Sequence, residues 1–519
     1  MADVSVLSER GSGGTEDRPA REPECFRDLN LDAFVDAVLA GMDEYDLRAF
    51  YCSPLSGLAE IEYRQEVAKE LEEGPALAIV KAFGLGMRAA RERKAQAAGL
   101  RHEHQRARWF LDAAQAYCDA VLALAEKLRR LGPRSRGLAD FSACLGRYVE
   151  TPRFRSLHSD LLAVLRAMEG VRYALIVRRG ELRVARSAGE AGYEEKVEEL
   201  FARFEGNGGK DYASHFSDPR DLNQVEAGIL DLVARLFPAE FAALGAFRSR
   251  HADYAEPFVL AFDREIQFYV SYLDHIAGLK RLGLGFCYPV LSAESKETVS
   301  RGSFDIVLAA ARAAEGESVV ANDFRLSGSE RILVITGPNQ GGKSTFARSF
   351  GQLHYLARLG LSVPGSEARL LLCDTIFTHF EREEGREDRR GRLKDELERM
   401  RSILEAATPR SVLVLNESFA STSLKDAVHI GRRVLERIAE LDALCVFVTF
   451  MDELAEGEKR VSMMCTVEPG DKSDPGAPGA SAVRTYKLLR KSPDGLAYAL
   501  SIAQRRGLTR ELILGRIRR

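Results

Sequence analysis

From Phe26 onward the apolar positions fall at helical spacing, with Leu29, Leu31, Phe34, Val35, Val38 and Leu39 as the first series. Helical patterning then dominates to about Arg166. It predicts a turn followed by an amphipathic helix over Tyr51–Glu73 and a long helix over Ala107–Leu131. Around Val171 the period drops to two, through Tyr173, Leu175 and Val177 and then Leu182 and Val184, which predicts a β-hairpin turning near Gly180. Helical spacing returns near Leu222 and lasts to about Leu284. The aromatics Phe258, Phe262, Phe268, Tyr269 and Tyr272 sit at helix spacing there and read as core rather than as a base-stacking platform. From about residue 296 strand-like and helix-like segments alternate, as in an α/β domain.

These shifts divide the chain into three stretches. Residues 1–25, rich in Gly, Ser, Pro and charge, are expected to be a disordered tail. Residues 26–295 are expected to form an all-α domain carrying the hairpin in an insertion at about 168–215, which contains the break Gly206–Asn207–Gly208–Gly209. Residues 296–519 are the α/β domain, with Pro469–Ser481 as a loop rich in Pro, Gly and Ser.

At 519 residues the chain exceeds what one core usually serves. A net charge of −3 exerts no global pull on nucleic acid, so any contact with it must come from local basic patches. The eight cysteines include no CxxC pair and no zinc-ligand spacing, and read as thiols of a reducing compartment. With no signal-peptide pattern and no apolar run long enough to span a bilayer, a cytoplasmic protein without a membrane partner is expected.

The strongest chemistry lies at Ile335–Thr345. The apolar run Ile332–Val334 breaks into Gly337, Pro338, Asn339, Gln340, Gly341, Gly342, Lys343, Ser344 and Thr345, after which a helical pattern begins. Strand, glycines, then helix is the context of the phosphate-cradling P-loop. Glycines let backbone N–H groups turn toward phosphates, and the helix N-terminus adds its positive dipole end. Lys343 reaches the outer phosphates and the Ser344 hydroxyl ligates Mg²⁺, so ATP or GTP with Mg²⁺ is the expected ligand.

A second apolar strand, Val412–Leu415, ends in Asn416–Glu417. A strand of this kind delivers its last residues to the carboxyl edge of a parallel sheet, beside the phosphates. P-loop ATPases carry there one acidic group for Mg²⁺ and one carboxylate for the attacking water. Glu417 fits the catalytic task together with Lys343. Asn416 stands in the metal position with a neutral amide, so slow turnover is expected. In the hairpin, Arg178, Arg179, Arg183 and Arg186 fall within nine residues. Such a basic hairpin can touch nucleic-acid phosphates, although charge runs are more often solvated faces.

The same residues resemble the MutS family of DNA mismatch-repair ATPases. TGPNQGGKST (Thr336–Thr345) is similar to that family's TGPNMGGKST nearly residue for residue, and VVANDFRL (Val319–Leu326), GLSVPG (Gly360–Gly365) and DTIFTHF (Asp374–Phe380) resemble its flanking segments, the last matching DxIFTRIG. Ser53–Leu71 is similar to its PLxxxxxIxxRQ pattern, and Tyr486–Leu508 to its closing strand and helix. The resemblance implies an ABC-type P-loop ATPase head joined to an all-α lever with a small hairpin clamp, working as a homodimer through the ATPase heads. It implies further that ATP with Mg²⁺ drives the levers on mismatched, branched or otherwise non-canonical DNA, touched by Arg178, Arg179 and Arg183.

Departures accompany the likeness. The family's DE is Asn416–Glu417 and its GRGTS is Phe419–Ser423. Its ATHY is Val448–Met451, which puts Phe450 where the family has a histidine. Its Ser-Gly-Arg-Ser signature survives only as Gly391 and Arg392. About 25 residues precede the helical core, so the family's Phe-x-Glu wedge for reading mismatches is not expected. The other class that the sequence allows is a nucleotide-gated interaction protein that grips a protein or ribonucleoprotein partner.

Overall fold

The computed structural model of the chain describes residues 4–9, 22–178, 181–187, 221–380, 389–419, 422–468 and 483–493. Two compact units result. One comprises Met1–Val4, Gly74–Arg134 and Leu138–Asp263, and the other Ser5–Glu73, Ser135–Gly137 and Arg264–Arg519. Contacts therefore do not divide the chain at residue 295. Phe26–Glu73 and the chain from Arg264 on group with the α/β part, because the helices there cover its central elements.

The first unit is helical, as the 3.6-residue period predicts. Helices Ala76–Gly99 and Glu103–Leu131 pack along one another at close range, for a Cβ on Gly86 would lie 2.8 Å from that of Ala120. Thr151 caps helix Pro152–Glu169, accepting from the Phe154 N–H at 3.3 Å. The hairpin is present: β1 (Tyr173–Arg178) pairs antiparallel with β2 (Glu181–Arg186), in the register Tyr173↔Arg186 to Arg178↔Glu181. Val184 packs against Val233 and Phe237, at the end of helix Gln224–Leu236, whose N-terminus is closed by a capping box between Asn223 and Glu226.

In the second unit the run Ile332–Thr336 is wholly apolar up to its last residue and buried on both faces. Such a strand must lie inside a sheet covered on both sides. In chain order the strands are β3 (Phe286–Cys287), β4 (Val290–Ser292), β5 (Thr298–Ser303), β6 (Asn322–Leu326), β7 (Ile332–Thr336), β8 (Val363–Pro364) and β9 (Glu367–Leu371). Then follow β10 (Ile376–Phe380), β11 (Val412–Asn416), β12 (Leu444–Val448), β13 (Arg460–Glu468) and β14 (Val483–Arg490). The main sheet runs β10-β11-β12-β7-β13-β14, parallel except for the last pair. A smaller sheet runs β4-β9-β5-β6, and β3 pairs with β8. The apolar run around Asp374 is thus two strands, β9 and β10, in different sheets. Asp374 marks the crossing and accepts from the Ser411 hydroxyl at 2.9 Å.

The helix after the P-loop, Lys343–Arg358, is buried on every side by the sheet and by the N-terminal helices. Leu29 lies so near that a Cβ on Gly351 would come within 2.6 Å of its side chain. Several polar residues buried on this helix are matched to partners, while the Nε2 of His354 has none among the described residues. Gln352 donates to Leu29 O at 2.9 Å and to Asp305 Oδ1 at 3.0 Å, and accepts from the Ile306 N–H at 3.1 Å. The Tyr355 hydroxyl donates to Tyr51 O at 2.7 Å and Arg358 Nε to Leu55 O at 3.0 Å.

The expected disordered tail departs from the structure at its start. Residues 10–21 lie outside the described residues, but Val6 and Leu7 are buried and their backbone is fully engaged. The Tyr63 hydroxyl donates to Ser5 O, that of Tyr269 to Val6 O, both at 2.7 Å, and Arg64 Nε to Leu7 O at 2.9 Å. Glu265 accepts from the Ser5 hydroxyl and the Val6 N–H. Composition marked these residues as solvated, and partners distant in sequence order them. Val6→Asp, which buries a second carboxylate next to Glu265, should cost about 2–4 kcal/mol and lower the thermal unfolding midpoint of this unit. A free tail would make the substitution neutral in the same melt.

Candidate nucleotide-binding site

Because β10, β11, β12 and β7 are parallel, their carboxyl ends share one edge. The register aligns Phe380, Asn416, Val448 and Ile335 in a row across it. The residues that follow β7 and β11 therefore meet at this edge, as the sequence predicts for Gly337–Thr345 and Asn416–Glu417. A cleft of about 840 Å³ opens there, lined by Asn339, Gln340, Gly342, Lys343, Ser344, Thr345 and Glu417, with Phe304, Leu308, Val319 and Val320 supplying apolar wall.

The P-loop needs glycine for steric reasons. Gly337 has φ +119°, and a Cβ on it would lie 3.1 Å from that of Cys465 on β13. One on Gly341 would lie 3.0 Å from Pro338 O and 3.1 Å from the same Cys465 atom. Gly342, at φ +94°, starts the helix in the left-handed region. Gln340 also has a positive φ, and its side-chain oxygen accepts from Arg484 of β14 at 2.8 Å.

Lys343 is buried, and its ammonium donates to Gly337 O at 2.8 Å, Pro338 O at 3.2 Å and Asn339 Oδ1 at 3.3 Å. Burial lowers its pKa, and the nearby Glu417 carboxylate acts in the opposite direction. The Glu417 N–H donates to Val448 O at 3.0 Å. Glu417 and Phe419 both adopt positive φ, so a strained turn presents the carboxylate. Asn416 Oδ1 is buried without a hydrogen-bond partner among the described residues. This orphaned acceptor lies at the sheet edge and the Ser344 hydroxyl in the cleft wall, which Asn416 does not itself line; oxygen donors of this kind suit a hydrated Mg²⁺. Among the described residues no cluster of three His, Cys, Asp or Glu could hold a metal, so the donor set is poor in charge.

Other residues of the cleft were not singled out from sequence. Tyr486 lines it from β14 at φ +55°, beside Gly342. Asn322 holds this irregular part of β14, donating to Tyr486 O at 3.1 Å and accepting from the Leu488 N–H at 2.8 Å. The segment VVANDFRL was the only signal for it. Phe450, in the position of the family's histidine, is 49 % exposed. Arg392 has no described side chain, and Lys394 pairs with Glu398 at 3.6 Å.

Residues 333–513 match the family model for MutS domain V. Over this stretch the chain is similar to MutS-family proteins. It is 32 % identical over 235 residues to the DNA mismatch repair protein MutS of Chlorobaculum tepidum, covering 44 % of this chain and 25 % of that one. It is also 32 % identical over 178 residues to the DNA mismatch repair protein Msh3 of Mus musculus, covering 34 % and 16 %. With MutS of Halalkalibacterium halodurans the match is 27 % over 294 residues, covering 56 % and 32 %. The chain thus spans about a third or less of the length of these relatives.

The hairpin bears the other expected site residues. By the register, Arg183 and Arg186 occupy opposite faces of it. Arg186 stacks over the Phe237 ring at 4.6 Å and donates to Leu236 O, while Arg183 makes no such contact among the described residues; both are exposed. Arg179 and the side chain of Arg178 lie outside the described residues. No helix among the described residues is long and apolar enough to cross a membrane.

Gly341→Ala forces the loop against backbone and against Cys465, neither of which can yield as a flexible side-chain tip would. ATP binding by this variant, titrated with a fluorescent ATP analogue, should weaken at least about tenfold.

Proposed function

We propose that this chain is a MutS-family, ATP-dependent DNA clamp that turns over slowly. The observation that carries the proposal is the convergence of the P-loop and Glu417 on one cleft, in the part of the chain that matches MutS domain V. In this reading the N–H groups of Gly337–Thr345 and the start of the buried helix cradle the phosphates, Lys343 reaches the outer ones, and Phe304, Leu308 and Val320 border the base. Ser344 and Asn416 hold Mg²⁺, which when bound neutralises charge developing on the transferred phosphoryl group. Glu417 orients the attacking water and takes its proton, with Lys343 as electrostatic partner.

The named relatives are DNA mismatch repair proteins, and the exposed Arg183 of the hairpin supports a counterpart surface in this chain. We place DNA there, at Arg178, Arg179 and Arg183, with mismatched or branched duplex as the substrate class. Two ATPase heads meeting in a homodimer, and a helical lever moved by the nucleotide state, complete the reading, which assigns the chain to mismatch repair or a related repair pathway.

Three measurements test it. Glu417→Gln should lower kcat by about 10²–10³-fold while ATP binding persists, since it removes the base and leaves the cradle. Asn416→Asp, which restores a charged group for the cation, should raise kcat and lower the Mg²⁺ concentration needed for half-maximal rate. Reversing Arg178 and Arg183 to Glu should weaken branched-duplex binding in anisotropy titrations and flatten the slope of log K against log salt by about two. Partner capture insensitive to salt, with ATP hydrolysis unchanged across duplex, mismatched, branched and single-stranded DNA, would instead favour the nucleotide-gated interaction protein.

A further inference from the structure

One buried imidazole stands directly behind the turn that carries Glu417. His379 occupies the fourth position of β10, opposite Leu415 in the parallel register, one residue short of the sheet edge. Its ring is buried, and its Nδ1 lies 2.9 Å from the hydroxyl of Ser418, the residue after Glu417. The Phe419 ring packs 6.1 Å from it, centroid to centroid. The site-lining residues named above do not include His379, so it meets the cleft only through this turn.

Its mounting is rigid. Arg399 donates to Thr378 O at 3.0 Å and to Phe380 O at 3.5 Å, gripping the strand on both sides of the histidine. Asp28 takes the Thr378 hydroxyl at 2.7 Å and pairs with Arg399 at 3.0 Å. The turn itself is strained, with φ +50° at Glu417 and +67° at Phe419, conformations that cost non-glycine residues about 1–3 kcal/mol each and persist only where neighbours hold them. Two holds are visible: the Glu417 N–H on Val448 O, and the Ser418 hydroxyl on His379.

The rest of the ring is poorly served. Burial, with Arg399 adding to it, pushes the His379 pKa down to about 4, so the imidazole is neutral near pH 7 and its bond to Ser418 joins two neutral groups. Nε2 makes no hydrogen bond within 3.5 Å among the described residues, although the Glu396 backbone lies near enough to the ring to oppose the downward shift. The family pattern quoted above has an arginine there, too long and too charged for the same contact.

We propose that His379 is a positioning residue for hydrolysis, fixing the Glu417 carboxylate at the cleft through Ser418. The proposal rests on the ATPase reading. Losing the His379–Ser418 bond frees one side of the strained turn and lets the carboxylate move off the line of attack, where a displacement of about 1 Å can cost about 10²-fold in rate. The phosphate cradle, built from β7 and the helix after it, keeps its geometry.

The test compares His379→Ala, His379→Asn and Ser418→Ala with the wild-type full chain, measuring kcat, KM and ATP affinity. His379→Ala and Ser418→Ala should each lower kcat by about 10- to 100-fold with KM and ATP affinity within about twofold of wild type, and the double variant should be no slower than either. His379→Asn, which keeps an amide near the place of Nδ1, should recover most of the rate. The inference is overturned if both alanine variants turn over at the wild-type rate while Glu417→Gln does not. It is equally overturned if affinity and melting temperature fall together with kcat and Asn fails to rescue, the signature of a merely structural histidine. Where His379→Ala does not fold, Ser418→Ala alone decides. A wild-type chain that hydrolyses no ATP with any DNA refutes the ATPase reading itself, and the inference with it.

Discussion

The α/β unit depends on one constraint: the helix that leaves the P-loop is covered on every side. A helix in that position cannot rely on water for its polar groups, so most of them meet protein, with His354 Nε2 left unpaired among the described residues. Gln352 uses both ends of its amide, bridging Leu29 O, Asp305 and the Ile306 N–H. Tyr355 and Arg358 reach backbone carbonyls of the segment Tyr51–Leu55. Breaking any of these would leave a buried polar group unpaired, at about 1–3 kcal/mol. This is why the N-terminal helices belong with the sheet although hundreds of residues separate them in the chain.

The same covering reaches the cleft from the opposite direction. β13 brings Cys465 against Gly337 and Gly341, so the backbone of the loop rests on a strand that enters the sheet more than a hundred residues later. On the other flank β10 and β11 bring His379 against Ser418. The loop and the acidic turn are both backbone conformations that an isolated segment would not hold. Positive φ at Gln340, Glu417, Phe419 and Tyr486 marks where the neighbours impose them.

This division explains what could be read from the chain. The P-loop was legible because its glycines serve a local backbone geometry, with strand, turn and helix contiguous in sequence. The hairpin was legible because a period of two is also local. The Arg369–Phe380 run reads in sequence only as an apolar stretch interrupted by Asp374; that its halves pair in two different sheets depends on strands distant in the chain. Only the contacts of Asp374 show where the chain crosses between them. Residues 5–9 misled through composition, for their order comes from Tyr63, Arg64, Glu265 and Tyr269, which no local rule connects to them. Arg186 looked like its neighbouring arginines until the register put it on the face that packs against Phe237. Cys465 lies in no motif, and His379 and Tyr486 lie in family-like segments that assign them no role; the residues they touch at the cleft are far away in the chain.

Asn416 changes the electrostatics of the site in a definite direction. An aspartate there would put a second carboxylate beside Glu417 at the end of one strand, and two like charges at that spacing raise each other's pKa unless a cation lies between them. With asparagine the edge keeps a single carboxylate facing the buried Lys343, and the unpaired Oδ1 can accept a hydrogen bond but contributes no charge. On the ATPase reading, such a head gives the cation a weaker hold. Rate then depends less on metal charge and more on where the Glu417 carboxylate points. A strained turn braced by a neutral histidine is the part of this structure that sets that direction.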